Sequence, residues 1–468
     1  VARTRLETLI PANLGIPRGV EAPPFTAGED VTHGVPGSVS VDAQPPMAVP
    51  LRHFLLGLVF LIAGGLTAVI HAIGFGTPLF PLSYAHLLLV GWVCVTIMGA
   101  MTQFVPVWSG VTLHADRLAT LQAVAVAIGV SGLAIAFAIG HVTLVAPFAV
   151  VLFGGFVIFI YNVARTLAAA RPFDVTEWHF VLALVFFLMA TLLGATLALD
   201  YRYGFATSTR ISIVTAHVTL AVFGGVLTTV IGALFQLGPM FTQYTEMDVD
   251  RMIQRIETVV YPIGVVLLAG GRLTAAVPIA TVGGLLVALG LGLTGVFLGR
   301  CLYRSTVEGT PMLSRYWVVA ASMVLWPITA AVAWTDASLT RTFVLGDPHF
   351  GVVLLVGIIG FVVLGTLYHI VPFIIWVHRY SDRLGLEDVP MIDDLYDSRI
   401  AAIDFWCVLC GFGLLTIGIA TAVPTVAVGA AIAIGGAGLF AFNMIHTVWT
   451  HSPNSIGSVP IAPFGKHE

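Results

Sequence analysis

Apolar residues in this chain come in long blocks rather than at a helical or alternating period. Twelve stretches are apolar almost throughout: approximately 53–75, 83–108, 118–140, 142–164, 178–200, 211–241, 256–273, 275–299, 316–335, 348–378, 400–421 and 424–449. A helix needs roughly 20 such residues to cross a hydrocarbon core. Lipid offers backbone N–H and C=O groups no water, so each segment must satisfy its own, and the stretches are predicted to be α-helices. The expected fold is an all-α polytopic membrane protein with twelve transmembrane helices over residues 51–451. Residues 1–50 hold Pro, Gly, Ser and acidic residues, with no apolar run long enough to span and no signal-peptide pattern. They read as a flexible cytoplasmic tail, and residues 452–468 as a C-terminal tail.

Composition agrees with lipid as the solvent. Hydrophobic types make up 58% of the 468 residues and charged types 9%. A soluble domain carries roughly 25% charged residues. So few charges cannot cover a globular surface, which excludes a soluble enzyme and a disordered protein. The net charge of −4 is too balanced to imply an anionic partner, so no nucleic acid is expected.

The basic residues predict an orientation. With the N-terminus inside, 16 of the 20 Lys and Arg fall in inner segments and only Arg202, Arg210, Arg272 and Arg341 in outer loops. This positive-inside bias puts both termini in the cytoplasm of a multi-pass protein of the cell membrane. Trp108, Trp178, Trp317, Trp334, Trp376 and Trp449 fall near span ends and read as interface anchors.

A repeat runs through the spans. Span 2 reads Gly91-x7-Gly99-x3-Gln103-x2-Pro106. Span 6 reads Gly224-x7-Gly232-x3-Gln236-x2-Pro239, and span 10 reads Gly357-x7-Gly365-x3-His369-x2-Pro372. The period is 133 residues both times (224 − 91 and 357 − 224). Four helices per period gives three pseudo-equivalent four-helix repeats. The glycines let helices approach closely, or else leave room for a flat cofactor against the backbone. Each proline removes one N–H and bends the inner end of its helix.

Each copy also has a His upstream of its first Gly: His86, His217 and His349. All three fall toward the outer end of their helices. An ionisable residue inside a membrane is a functional hypothesis by default, and neutral imidazole is a good ligand for heme iron and copper. The competing reading is that they face headgroups or cap helices. His349 is the most open to it, because Asp347-Pro348 reads as an N-cap followed by the first helical position. His71 is a reserve candidate. His369 takes the place of Gln103 and Gln236, which suggests a structural polar role, and His53 and His179 read as interfacial residues of the inner face. Cys407 and Cys410 form a CxxC, read as buried small apolar residues or as a metal or redox pair.

Twelve helices in a pseudo-threefold arrangement with outer-end His on spans 2, 6 and 10 resemble the heme-copper oxidase superfamily. Within it, the chain is similar to subunit I of cytochrome oxidases and nitric oxide reductases. The segments Ala85-His86-Leu-Leu-Leu-Val-Gly-Trp and Leu367-Tyr-His-Ile-Val-Pro372 carry the likeness. Pro106-Val-Trp-Ser-Gly110 also resembles NnrS-type heme-copper membrane proteins, which are linked to nitric oxide metabolism. The resemblance implies that His86 and His349 hold a low-spin heme, and that His217 corresponds to a copper ligand.

Departures limit what it implies. Span 10 has no His-x-His and span 7 contains no His, so the usual three-His copper site and the second heme lack their ligands. Asp200, Glu257, Asp336 and Asp404 sit near span ends, no acidic residue lies mid-span, and no buried acid–base pair for ion coupling is legible. The expected function is a heme-binding membrane oxidoreductase or electron-transfer protein without the complete copper site. It would need a donor protein or further membrane subunits, since the chain has no soluble domain to receive electrons. Two alternatives remain: nitric oxide or metal handling without turnover, and a cofactor-free transporter or scaffold.

Overall fold

The computed structural model describes residues 44–452. The tails proposed for 1–50 and 452–468 therefore lie almost wholly outside the described residues, and the first helix already begins at Ala48. Among the described residues there is no strand, and twelve helices are long and apolar enough to cross a membrane. They are α1 Ala48–Ala72, α2 Phe80–Ser109, α3 Asp116–Ala138, α4 Val142–Ala168, α5 Val175–Tyr203 and α6 Arg210–Thr242. The second half holds α7 Asp248–Leu273, α8 Val277–Tyr303, α9 Pro311–Ala337, α10 Val353–Arg379, α11 Ser398–Thr421 and α12 Val426–His451. The chain is thus a multi-pass membrane protein. Twelve alternating spans put the start of α1 and the end of α12 on one face, called the terminal face below; the other is the distal face.

Three helices form the centre. The most apolar window of α2, α6 and α10 is 78%, 83% and 78% buried, against 22% to 56% for the other nine. The nine close a ring around them. α3 packs on α4, α4 on α5, α5 on α7, α7 on α8, α8 on α9, α9 on α11, α11 on α12, α12 on α1 and α1 on α3. Outward-facing side chains of the ring, such as Ile135, Ile328 and Val332, are exposed and apolar, as contact with lipid requires.

Apolar helices gain little from the hydrophobic effect against one another in lipid, so close packing must hold them. At three ring pairs a glycine lets backbones touch. A Cβ on Gly129 of α3 would lie 2.6 Å from the Leu152 nitrogen of α4. One on Gly283 of α8 would lie 2.2 Å from the Leu268 nitrogen of α7, and one on Gly411 of α11 would lie 2.5 Å from the Ala433 nitrogen of α12.

Each central helix contains a π-helical stretch: Leu87–Cys94, Leu220–Leu227 and Val353–Gly360. Their starts are 133 residues apart (220 − 87 and 353 − 220), the spacing of the Gly-Gly-Gln/His-Pro pattern. Such stretches are uncommon and cluster at functional sites. Pro106, Pro239 and Pro372 lie inside the helices near the terminal face. The Pro106–Gly110 fragment forms a helix end: Gly110 adopts φ 63°, and the Val111 N–H donates to the Pro106 carbonyl at 3.1 Å.

Three expectations change. Trp334 is buried, its indole N–H donating to the Phe343 carbonyl at 2.7 Å, so it anchors a distal loop and not a membrane interface. Arg272 is buried too, held by the Ser338 and Val344 carbonyls at 2.9 and 3.0 Å and by Thr219 Oγ1 at 2.6 Å. Finally, α7 starts at Asp248, about two turns before the apolar block. Its first turn holds Asp248 and Asp250, and Asp250 accepts from the Met247 N–H. Charged residues that lower hydropathy here initiate the helix.

Candidate functional site

Two regions gather the polar side chains. The first is the distal end, where the predicted ligands lie. His86 closes the α-helical turn before the first π stretch, and its Nδ1–H donates to the Leu82 carbonyl at 2.7 Å. Its ring lies 5.3 Å from that of Phe137 on α3. His217 on α6 donates Nδ1–H to the Ala190 carbonyl of α5 at 2.8 Å, over Gly194. A neutral imidazole that donates from Nδ1 keeps its Nε2 lone pair for a ligand. The two imidazoles lie within electrostatic reach of each other. The distal ends of α3, α4 and α5 form their own apolar cluster beside them, including Leu133, Phe137, Val145 and Ala198.

His349 does not join them. It sits in the turn before α10, 57% exposed, and pairs with Asp347 at 3.0 Å. Gly346, at φ 88°, turns the chain here and Pro348 follows, so the helix begins later than the apolar block suggests. His71 packs between Phe80 and Tyr84, with ring centroids 6.0 and 5.7 Å away.

The heme implied by the family resemblance would lie between His86 and His349, and the residues there do not fit it. A Cβ on Gly91 would meet Phe60 at 2.6 Å, one on Gly224 would meet Phe186 at 2.7 Å, and one on Gly357 would meet Ser322 at 2.5 Å. The glycine faces are thus filled by neighbouring helices, which settles the two uses of these glycines in favour of close approach. A cavity of about 80 Å³ among α2, α6 and α10 lies nearer the terminal face, lined by Ile97, Val230, Val363, Met101 and Leu234 among others, with no histidine. No group of three or more His, Cys, Asp or Glu among the described residues is placed to hold a metal ion. Cys407 is half-buried and Cys410 exposed, so the CxxC is not the buried pair expected.

The second region lies toward the terminal face and was not expected from sequence. His53 of α1, His179 of α5 and Arg315 of α9 each donate to the carbonyl four residues back, Val49, Val175 and Pro311, at 2.8, 2.7 and 2.7 Å. Each backs onto a glycine of a central helix. Cβ atoms added to Gly99, Gly232 and Gly365 would lie 2.7, 2.5 and 3.1 Å from the Cβ atoms of His53, His179 and Arg315. Each also reaches a polar residue two helices along. Gln122 Nε2 donates to His53 Nε2 at 3.4 Å; His179 Nε2 and Glu257 Oε2 are 3.0 Å apart; Arg315 pairs with Asp404, which also accepts from Tyr368. All six side chains are buried.

These pairs correct the reading that no buried acid–base pair exists and that His53 and His179 are interfacial. Glu257 lies nine residues into α7 (257 − 248), because the helix starts earlier than its apolar block. With Nδ1–H of His179 committed to Val175, the Nε2···Oε2 contact needs one proton, on either atom. Without it, a lone pair would face a carboxylate. The signal in the sequence was the offset of each polar residue from the shared glycine register, which is readable only once the helix pairs are known.

No protein-family model matches this chain, and no curated protein is similar enough to count as a relative.

Proposed function

We propose that this chain is a metal-handling membrane protein on an oxidase subunit I-like scaffold of three four-helix units. It holds one imidazole-ligated metal centre at its distal end, between His86 and His217. The single observation that supports the reading is the matched anchoring of these imidazoles: each Nδ1 is fixed on a backbone carbonyl, each Nε2 is left free, and each lies within electrostatic reach of the other. Anchoring the second nitrogen is what holds a metal-ligating histidine in the right tautomer and orientation. Heme iron and a copper ion share this ligand chemistry. The three-histidine copper site and the His86–His349 heme have no counterpart in the donor set, so the reading is of binding or sensing, nitric oxide included, and not of oxygen reduction.

Purified full-length protein in detergent tests this with a reduced-minus-oxidised spectrum and metal analysis. Stoichiometric iron with heme absorbance, or stoichiometric copper without it, supports the reading and tells the two apart. His86→Ala and His217→Ala should each lose the metal while His349→Ala keeps it. Wild-type protein free of both metals, or loss on replacing His349 alone, overturns it.

A further inference from the structure

We propose that His179 and Glu257 form a proton-binding site inside the membrane, loaded from the terminal face by way of Glu246 and Gln254. This inference is independent of the metal reading, since the pair lies at the other end of the bundle.

Four observations carry it. The pair is buried, and its contact requires one shared proton. Glu257 Oε1 is buried without a hydrogen-bond partner, so the carboxyl group has an unused acceptor. The three equivalent places hold different chemistry. His53 with Gln122 carries no acid, and Arg315 with Asp404 joins a guanidinium that stays charged to a carboxylate that Tyr368 also holds. Only the middle pair combines an imidazole with a carboxylate, the two groups best placed to exchange a proton near neutral pH. The last observation is a route. Gln254 Nε2 donates to Glu246 Oε1 at 2.7 Å, and Gln254 lies one turn before Glu257 on α7. Glu246 is half-buried in the α6–α7 connection, outside the spans, and burial raises its carboxyl above its ordinary value.

Other ionisable groups near the pair are Asp174 and Glu177 at the start of α5 and Tyr261 one turn along α7, while α6 presents Phe235 and Gly232. Tyr261 donates its hydroxyl to the Phe223 carbonyl, and Glu177 accepts from Ser109 and from the Asp174 N–H. Loading moves one proton from water on the terminal face to the pair, which goes from one negative charge to none. Unloading reverses it, and no bond between heavy atoms changes.

Proton uptake by the full-length protein in detergent, measured by pH-stat titration between about pH 5 and pH 9, tests the site. Glu257→Gln turns the second pair into the His–Gln pair that the chain already uses at His53 and Gln122, so the fold has a precedent for it. The variant should take up one proton fewer per chain than wild type, while Asp404→Asn, where the variant folds, should take up the wild-type number. Glu246→Gln should slow uptake at the pair after a pH jump several-fold, read as the component that Glu257→Gln removes. Equal uptake by wild type and a folded Glu257→Gln overturns the site. If Glu257→Gln aggregates, Glu257→Asp replaces it, and a titration unshifted from wild type overturns the proposal. Unchanged kinetics in Glu246→Gln overturn the route.

Discussion

Asp404 accepts from both Arg315 and Tyr368 at a place where none of the three side chains meets water, and Asn443 of α12 donates to the Tyr368 hydroxyl at 3.2 Å. Arg315 also lies over the Tyr368 ring, 4.5 Å from its centroid. The charge is therefore shared among α9, α10 and α11, with α12 closing the network. In the first four helices the same place holds only His53 and Gln122.

Breaking this cluster from one side leaves a charge without its partner. Asp404→Leu should lower resistance to denaturant in detergent by ~3–5 kcal/mol, whereas Arg315→Met with Asp404→Leu should recover much of that loss. Equal stability of the single variant and wild type would show that the pair has no structural weight.

Glycine contacts give a contrast within one helix. On α8, Gly283 faces the Leu268 backbone nitrogen at 2.2 Å, and Gly299 has nothing within 4 Å. Gly283→Ala should destabilise by ~1–3 kcal/mol, because the backbones must part. Gly299→Ala should be neutral or stabilising by up to ~1 kcal/mol, since Ala is the better helix former. Thermal unfolding of the two variants measures the difference, and the reverse order would contradict the packing.

The His349–Asp347 pair is exposed and local. Asp347→Asn and His349→Ala should each change stability by less than ~1 kcal/mol, as exposed ion pairs generally do. A large loss in denaturant titration would mean that this turn carries tertiary structure beyond its own contacts.

Glu246 gives a pH dependence with a defined sign. Burial raises its carboxyl above the ordinary 4.5, so the folded state holds the proton to higher pH than the unfolded chain does. The stability tied to that proton is full below the unfolded value and falls as pH rises through the folded one. Melting temperatures of wild type and Glu246→Gln, compared from about pH 4 to pH 7, should show wild type losing ground to the variant as pH rises. A wild type that instead gains on the variant as pH rises would contradict the assignment.

The sequence by itself determined the class and count of elements. Lipid forbids unsatisfied backbone, so a run of apolar residues long enough to span has one solution, and the twelve predicted stretches each became one helix. The 133-residue register of Gly91, Gly224 and Gly357 was also legible, because close helix contact demands small residues whatever their neighbours. Helix starts were less so: α7 begins with Asp248 and Asp250, whose charges look like loop in a hydropathy profile but favour a helix N-terminus.

Tertiary structure decided which residues meet. His86 and His349 looked alike as outer-end imidazoles, yet one is anchored on the Leu82 carbonyl and packs on Phe137 of α3 while the other is exposed in a turn set by Gly346. His179 and Glu257 are 78 residues apart and in no shared pattern, and only the packing of α5 against α7 across Gly232 brings them together. The physical reason is that the apolar code fixes how much of a helix is buried in lipid or protein. It does not fix the rotation of that helix about its axis, and rotation is what aims a side chain at its partner.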